Sequence, residues 1–273
     1  MTYKKFLVVA SKLDKAGVNI TTNLSQFPAE NFKFYLVDKE IIHEENLNIE
    51  KINQFDFIIF ASKHKSEKKE KTLSVHAPGN WRVAELGGKN RQVCKTSALF
   101  EKFIFEKLNE TAKKFDLKDY KITLECTHHG PLINKPCIFI EIGATEEEWR
   151  NKKAGFVVAK TISDTIKEFK ENPYHEIAVG IGGPHYCPNF NKIQLNSNIA
   201  ISHIIPQYSL PINDDMIMQA VEGTEEEIDF VLIDWKGLGN SERRQEVIDV
   251  LDRNHISYRK TSDINKNPEN EDE

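Results

Sequence analysis

Two loops of this chain combine histidine with glycine and proline. Residues 126–131 read Cys-Thr-His-His-Gly-Pro, and residues 180–186 read Gly-Ile-Gly-Gly-Pro-His-Tyr. Each loop follows an apolar run that suits a buried strand, and the functional side chains of open α/β sheets gather at strand ends. Imidazole can bind a metal ion or act as a general base. The two loops therefore predict a hydrolytic site at one edge of a sheet.

The first loop carries two adjacent histidines, His128 and His129. Adjacent side chains at a strand end project in different directions, so one can bind or catalyse while the other supports it. Glu125 precedes the pair, and Glu141 lies one strand later. Imidazole and carboxylate are zinc ligands. Because the sequence lacks a His-Glu-x-x-His motif, a zinc site would have to be assembled from separate strands. The alternative is that these histidines are structural.

The second loop leads a buried strand into Gly182 and Gly183 and then, after a proline, into His185. Glycine allows positive φ, and successive backbone N–H groups can form a nest for an oxyanion. Such a nest beside a histidine base supports ester hydrolysis even without a metal ion. The segment also suits a tight turn, and both readings can hold together.

Two further histidines lie in less specific surroundings. His76 begins a loop-rich stretch with Asn80 and Trp81, in which a large aromatic side chain points to burial or to ligand stacking. His203 lies within an apolar strand, where a hydrogen-bonded core histidine is the favoured reading and metal ligation the alternative.

Lysines mark two possible phosphate contacts. Lys236 follows a strand and precedes a helix, where it can meet a phosphate or an oxyanion or simply be exposed at a capping turn. Residues 63–71 form a lysine-rich charge run that predicts a solvated loop or a mobile arm for phosphates. Residues 263–273 are polar and acidic, and we expect them to be disordered.

Strand-like and helix-like segments alternate along the chain, and several of the strands are continuously apolar. This pattern predicts an α/β fold: a single layered domain over residues 1–262, with a mostly parallel or mixed sheet flanked by helices. The predicted strands are Lys5–Ala10, Phe32–Val37, Phe55–Ala61, Ile122–Cys126, Cys137–Ile142, Glu176–Ile181, Ala200–Ile205, Phe230–Asp234 and Ser257–Lys260. The predicted helices are Lys15–Gln26, Lys95–Phe115, Glu146–Glu171, Asp214–Val221 and Ser241–His255.

The composition excludes several classes of protein. A chain of 273 residues with 39% hydrophobic residues can bury a substantial core. No segment approaches the roughly 18 uninterrupted apolar residues of a membrane helix, so we expect a cytoplasmic monomer. The net charge of −5 argues against blanket binding to nucleic acid. The spacing of the four cysteines predicts neither disulfides nor a cysteine-only zinc site: Cys94, Cys126, Cys137 and Cys187.

Four motifs, taken in chain order, are more specific together than alone. They are His-Ala-Pro-Gly-Asn-Trp at 76–81, Thr-His-His-Gly-Pro at 127–131, Gly-Gly-Pro-His-Tyr at 182–186 and Asp-Trp-Lys-Gly-Leu at 234–238. In this combination they resemble the archaeal-type D-aminoacyl-tRNA deacylases, over nearly the whole chain. The resemblance implies a fold similar to phosphorylases and peptidyl-tRNA hydrolases, dependence on zinc, and hydrolysis of the ester between a D-amino acid and the acceptor end of tRNA.

The resemblance also implies roles for individual residues. His128, His129 and His185 would bind the metal ion or act as bases, and Gly182 and Gly183 would donate to the oxyanion. Further metal ligands would come from Glu125, Glu141 and His203. Trp81 or Tyr186 would stack on the terminal adenine, a contact worth roughly 1–3 kcal/mol. Substrate contacts are expected from His76, Asn80, Trp81, Tyr186 and Lys236.

Selection of the D enantiomer would follow from exclusion, with a wall at 76–81 or 182–185 blocking an L side chain. The rivals are a peptidyl-tRNA hydrolase-like or nucleoside phosphorylase-like enzyme and a non-catalytic RNA-binding module. A phosphorylase needs arginines around phosphate, and none of the arginines here lies within a glycine loop: Arg82, Arg91, Arg150, Arg243, Arg244, Arg253 and Arg259.

Overall fold

Near-continuous apolar runs form parallel strands at the centre of the protein. The structure is a computed structural model that describes residues 3–28, 30–45, 47 and 49–264. Within these ranges the strands are β1 (Phe6–Ser11), β2 (Phe32–Val37), β3 (Phe57–Lys63), β4 (Thr72–His76), β5 (Gly79–Asn80), β6 (Gln92–Val93), β7 (Lys121–Leu124), β8 (Cys137–Gly143), β9 (Glu176–Ile181), β10 (Ile199–Ile205), β11 (Phe230–Ile233) and β12 (Tyr258–Lys260). The helices are α1 (Lys15–Leu24), α2 (Ile49–Ile52), α3 (Ala98–Lys114), α4 (Glu146–Trp149), α5 (Lys152–Glu168), α6 (Pro188–Asn196), α7 (Asp214–Glu222), α8 (Ser241–Arg253) and α9 (Thr261–Ile264).

The strands form two main sheets where the sequence predicted one. The larger sheet has the order β2-β1-β3-β8-β4-β7, and its first four strands are parallel. β4 runs antiparallel to β8, and β7 runs parallel to β4. The second sheet, β10-β9-β11-β12, is entirely parallel. The predicted α/β class with a mostly parallel or mixed sheet is therefore confirmed.

Helix α1 shows how local sequence fixes packing on the larger sheet. The Asp14 carboxylate caps the helix by accepting hydrogen bonds from the backbone N–H groups of Ala16 and Gly17. A Cβ at Gly17 would lie 2.8 Å from the Ala61 carbonyl oxygen. Glycine is therefore required where α1 crosses β3 at close range.

Helix α3 joins the two sheets, because it packs on β4 of the larger sheet and on β10 of the smaller. One apolar cluster contains Val8 and Ile59 of the larger sheet, Phe100 of α3, and Ile201 and Phe230 of the smaller sheet. The two sheets therefore share one apolar core. Cys94, Cys126, Cys137 and Cys187 are buried and free.

The two sheets also meet along a backbone seam at the segment that follows β7. The Cys126 N–H donates to the His185 carbonyl oxygen at 2.9 Å, and the Thr127 N–H donates to the Ile204 carbonyl oxygen at 3.0 Å. The loop after β7 therefore lies directly beside the ends of β9 and β10.

Several predicted boundaries were wrong. His76 was expected to begin a loop-rich stretch but is the last residue of β4, in which every residue is buried. The predicted helix 146–171 divides before Asn151, whose side chain caps α5. Helix α6 was missed. Lys63 is the last residue of β3, so the lysine-rich run 63–71 begins within the sheet and not in a free arm. Of the predicted disordered tail, 263–264 belong to α9 and 265–273 lie outside the described residues.

None of the described helices combines the length and the apolar character needed to cross a membrane.

Candidate active site

Two buried carboxylates form the centre of the site. Glu141 lies in the middle of β8, and the Ser62 hydroxyl of neighbouring β3 donates to its Oε1. Glu125 follows β7 and is held in place because its N–H donates to the Val75 carbonyl oxygen of β4. Each carboxylate is only 1% exposed. Because buried charge is costly, two such groups require cationic partners or a metal ion.

Three histidines surround Glu125. The His64 Nδ1 lies 3.2 Å from its Oε1, while the Nε2 atoms of His128 and His185 lie 3.4 and 3.1 Å from its Oε2. These histidines come from the end of β3, the loop after β7 and the loop after β9. The second sheet therefore completes a site that otherwise rests on the first.

Two histidines approach Glu141. The His64 Nδ1 and the His76 Nε2 each lie 3.6 Å from its Oε2. The His76 ring stacks on Phe139 of β8 at a centroid distance of 5.2 Å. His76 is fully buried at the end of β4. This corrects the expectation that His76 contacts the substrate, because its side chain is fully buried behind the residues that line the clefts.

The loop with the paired histidines is fixed by close backbone packing. A Cβ at Gly130 would lie 2.2 Å from the Gly88 nitrogen, so no other residue fits there without a shift. The His128 Nδ1 donates to the Cys126 carbonyl oxygen at 2.8 Å, and the His129 Nδ1 donates to the Gly130 carbonyl oxygen at 2.7 Å. Since a carbonyl only accepts, these rings carry their proton on Nδ1 and present a bare Nε2.

The charges at Glu125 and Glu141 set the protonation of two histidines. Burial alone would lower the pKa of His64, but the charge of Glu125 and hydrogen bonds to both carboxylates outweigh it and raise the pKa to about 11. Burial likewise opposes a charge on His185, but hydrogen bonds to Cys126 and Glu125 raise its pKa to about 10. Burial would raise the pKa of Glu141, yet its histidine partners lower it to about 2. The protein therefore holds two carboxylates beside two imidazolium groups.

His128 and His129 stay neutral instead. Burial, reinforced by neighbouring imidazoles, lowers the pKa of His128 well below its ordinary value and that of His129 to about 4. Neutral imidazole is the form that binds a metal ion.

The donor atoms fit a metal ion. Three groups have ligand atoms within 4.8 Å of one another: His64 with Glu125, His128 and His185; His76 with His128 and His129; and His76 with Glu125 and Glu141. The His76 Nδ1 lies 3.2 Å from the Ala77 carbonyl oxygen. The bare Nε2 of His128 lies 3.4 Å from the Glu125 Oε2, and two such electron-rich atoms need an electron-poor group between them. A carbonyl acceptor on the opposite ring nitrogen is typical of metal-binding histidine.

Comparison with known proteins bears on what this cluster does. Residues 51–259 match the family described as D-aminoacyl-tRNA deacylase. The D-aminoacyl-tRNA deacylase of Thermococcus onnurineus (strain NA1) is 35% identical over 264 residues, covering 88% of this chain and 93% of that protein. The chain belongs to the D-aminoacyl-tRNA deacylase family. The resemblance stated from the sequence is thus confirmed.

Further relatives cover the chain almost completely. The D-aminoacyl-tRNA deacylase of Methanocaldococcus jannaschii is 31% identical over 262 residues, covering 93% of this chain and 98% of that protein. A crystal structure described as a conserved protein of unknown function superposes with a TM-score of 0.86 at 30% identity, covering 95% of this chain and 96% of that one. The D-aminoacyl-tRNA deacylase fold therefore extends over both sheets.

The structure does not bring His203 into this cluster. The His203 Nε2 donates to the Cys94 carbonyl oxygen at 3.0 Å, and its Nδ1 lies 3.1 Å from the Thr127 hydroxyl. That hydroxyl accepts a hydrogen bond from the Ile204 N–H, so its proton is free to go to Nδ1. With both ring nitrogens engaged, His203 is a core histidine. Its expected role as a metal ligand is corrected.

The expected oxyanion nest is also corrected. The Gly182 N–H donates to the Ile205 carbonyl oxygen at 2.8 Å, so it is part of the sheet and unavailable to substrate. Gly182 and Gly183 have φ of +98° and +79°, and both pack against the turn at Asp234. Glycine at these two positions therefore allows two backbone segments to approach each other closely.

Some of the residues expected to contact substrate are held by contacts within the protein, and others are exposed. Asn80 donates through Nδ2 to the Gly87 carbonyl oxygen, and Trp81, which is 4% exposed, donates through Nε1 to the Ile204 carbonyl oxygen. The Tyr186 hydroxyl lies 3.0 Å from the His64 Nε2, and Lys121 lies over the Tyr186 ring. Lys236 is exposed at the turn after β11. Trp81 and Tyr186 are therefore not free to stack on a base.

His64 was missed because it lies in a lysine-rich run. Even so, it directly follows the apolar strand β3, at the same kind of strand end that identified His128 and His185. Applying the strand-end argument to every histidine would have found it. The sequence around Ser62 and around Tyr208 does not indicate which residues they contact, because their partners are distant in sequence.

Proposed function

We propose that the protein hydrolyses the ester of D-aminoacyl-tRNA, releasing free D-amino acid and tRNA. The observation that carries this proposal is the cluster of buried carboxylates and histidines, which lies open to a pocket of about 470 Å³ in a chain of the deacylase family. Family membership argues against the phosphorylase, peptidyl-tRNA hydrolase and non-catalytic alternatives. An aminoacyl ester is an activated acyl group, so its hydrolysis needs an oriented water and a stabilised oxyanion.

The chain's own residues supply both requirements. The Glu141 carboxylate lines the pocket and is suited to orient an attacking water by accepting one of its hydrogen bonds. His64 and His185 line the same pocket, carry positive charge, and can stabilise the oxyanion that forms on the ester carbonyl. The chemistry that a zinc ion supplies when bound is polarisation of a carbonyl and a lower pKa of water. His76, His128 and His129 would hold it.

The proposed reaction is tested by comparing hydrolysis of D- and L-tyrosyl-tRNA. We expect kcat/KM for the D substrate to exceed that for the L substrate at least about tenfold, since a wall that excludes one side-chain direction costs roughly 1–3 kcal/mol. Of the expected walls, 79–81 and His185 line clefts at the site, whereas Gly182 and Gly183 pack on the Asp234 turn. Release of the amino acid is measured by filter binding. Equal rates on the two substrates would contradict the proposed selectivity.

A metal requirement is tested separately. We expect purified protein to contain zinc by elemental analysis, and exhaustive chelation to lower kcat/KM at least about tenfold, with recovery on adding zinc. Treating the protein with the chelator already saturated with zinc is the control. Unchanged activity in protein shown to be metal-free would overturn the metal assignment while leaving the deacylase proposal open to the first assay.

A further inference from the structure

Two clefts meet at the paired histidines. The first, here called the histidine pocket, has a volume of about 470 Å³ and is lined by residues that include His64, Glu141 and His185. The second, here called the Tyr208 cleft, has a volume of about 480 Å³ and is lined by residues that include Arg82 and Tyr208. Both clefts are also lined by Leu86, His128 and His129.

Tyr208 is the exposed aromatic side chain at this junction. It lies in a short 3-10 turn, Gln207–Ser209, and is 60% exposed. Its hydroxyl lies 2.9 Å from the Cys126 Sγ and 3.2 Å from the His185 Nδ1, so the ring is anchored at the hydroxyl end. The Arg82 guanidinium donates two hydrogen bonds to the Ser209 carbonyl oxygen, at 3.1 and 3.0 Å, and holds the turn itself.

Trp81 and Tyr186, the two aromatic side chains expected from the sequence to stack on the adenine, already have partners within the protein. Trp81 is buried and hydrogen-bonded, and the ring of Tyr186 lies beneath Lys121 with its hydroxyl at His64. Tyr208 therefore has what they lack: a ring that reaches solvent, held in position beside a reactive histidine.

We propose that Tyr208 is the stacking platform for the 3′-terminal adenine of the tRNA. The inference rests on the proposed function, because the ester of an aminoacyl-tRNA joins two parts that must lie on opposite sides of the hydrolytic groups. The terminal adenosine then occupies the Tyr208 cleft, and the aminoacyl group occupies the histidine pocket.

The linings of the two clefts support this orientation. The histidine pocket is lined by His64, Glu141 and His185, the groups placed at the ester, so the acyl group belongs on that side. The Tyr208 cleft offers an aromatic ring with Val83 and Leu86, which are 68% and 54% exposed. Apolar and aromatic surface suits the face of a base, whatever its hydrogen-bonding edge.

The test compares Tyr208→Ala with Tyr208→Phe, which keeps the ring and removes the hydroxyl. Tyr174→Ala is the control, because Tyr174 is an 82% exposed tyrosine outside both clefts. We expect Tyr208→Ala to raise KM for D-tyrosyl-tRNA at least about fivefold, while Tyr208→Phe keeps KM within about twofold of wild type. Both variants lack the hydroxyl, so a change in kcat that is the same in both would be due to loss of its contact with His185.

A binding measurement without catalysis completes the test. Uncharged tRNA ending in CCA and the same tRNA lacking its terminal adenosine are used as competitive inhibitors of the wild-type protein and each variant. We expect the wild type to bind the complete tRNA more tightly, and Tyr208→Ala to bind the two alike. If Tyr208→Ala keeps the preference, or Tyr208→Phe loses it equally, the inference is overturned. Absence of D-tyrosyl-tRNA hydrolysis by the wild type would instead overturn the proposed function.

Discussion

Replacing Glu125 with glutamine is expected to lower kcat/KM for D-tyrosyl-tRNA at least about 100-fold. Its carboxylate contacts His64, His128 and His185, and a neutral amide cannot balance the two charged rings among them. Removing one partner of a buried charge network costs about 3–5 kcal/mol, which corresponds to more than two orders of magnitude in rate if the active state is lost. Steady-state kinetics with a thermal melt of each protein measures the effect.

The matched control is Glu101→Gln on helix α3. Glu101 is also 1% exposed, but it lies outside the histidine cluster. Burial, with a contribution from Glu226, raises the pKa of Glu101 well above its ordinary value, which favours the uncharged form of the side chain. We expect this variant to keep kcat/KM within about twofold, since it exchanges one neutral group for another. Comparable activity in the two variants would show that Glu125 is not essential.

Replacing His64 with asparagine is expected to lower kcat/KM by a similar factor, about 100-fold. His64 is the side chain that contacts both carboxylates, at 3.2 Å from Glu125 and 3.6 Å from Glu141. Without it, two buried negative charges lose a shared cation, and an oxyanion loses a stabilising partner. Kinetics on D-tyrosyl-tRNA and elemental analysis of bound metal measure the consequences together.

His255→Asn is the control for this substitution. His255 is exposed just beyond α8, and its φ of +55° is one that asparagine adopts readily. We expect its activity to equal that of wild type. An active His64→Asn protein, with more than half of the wild-type kcat/KM, would remove His64 from the mechanism.

The fold was largely predictable because buried parallel strands are continuously apolar. β2 and β9 begin and end at the predicted residues, 32–37 and 176–181. β4 was missed because its polar residues, Thr72, Ser74 and His76, alternate with only two apolar ones. Burying polar side chains costs free energy unless they are hydrogen-bonded, so local sequence did not favour a buried strand at the place where the site required His76.

Some residues of the site could be predicted because their position in or just after a strand indicated a chemical role. His128, His129, His185, Glu125 and Glu141 do come together. Trp81, Gly182 and His203 were misassigned because their decisive hydrogen bonds join distant segments. The carbonyls that engage Trp81 and Gly182, for example, belong to Ile204 and Ile205, more than 20 positions away in sequence. A single sequence shows donors and acceptors but not their pairing.

The backbone seam between the sheets has a consequence for the making of the protein. The carboxylates and four of the histidines precede residue 142, whereas His185 and Tyr208 arrive only with the second sheet. When only the first sheet has been synthesised, the site is incomplete. The loop after β7 then lacks the segments of the second sheet to which it hydrogen-bonds. The full set of site residues is therefore present only after residue 208 has been added to the growing chain.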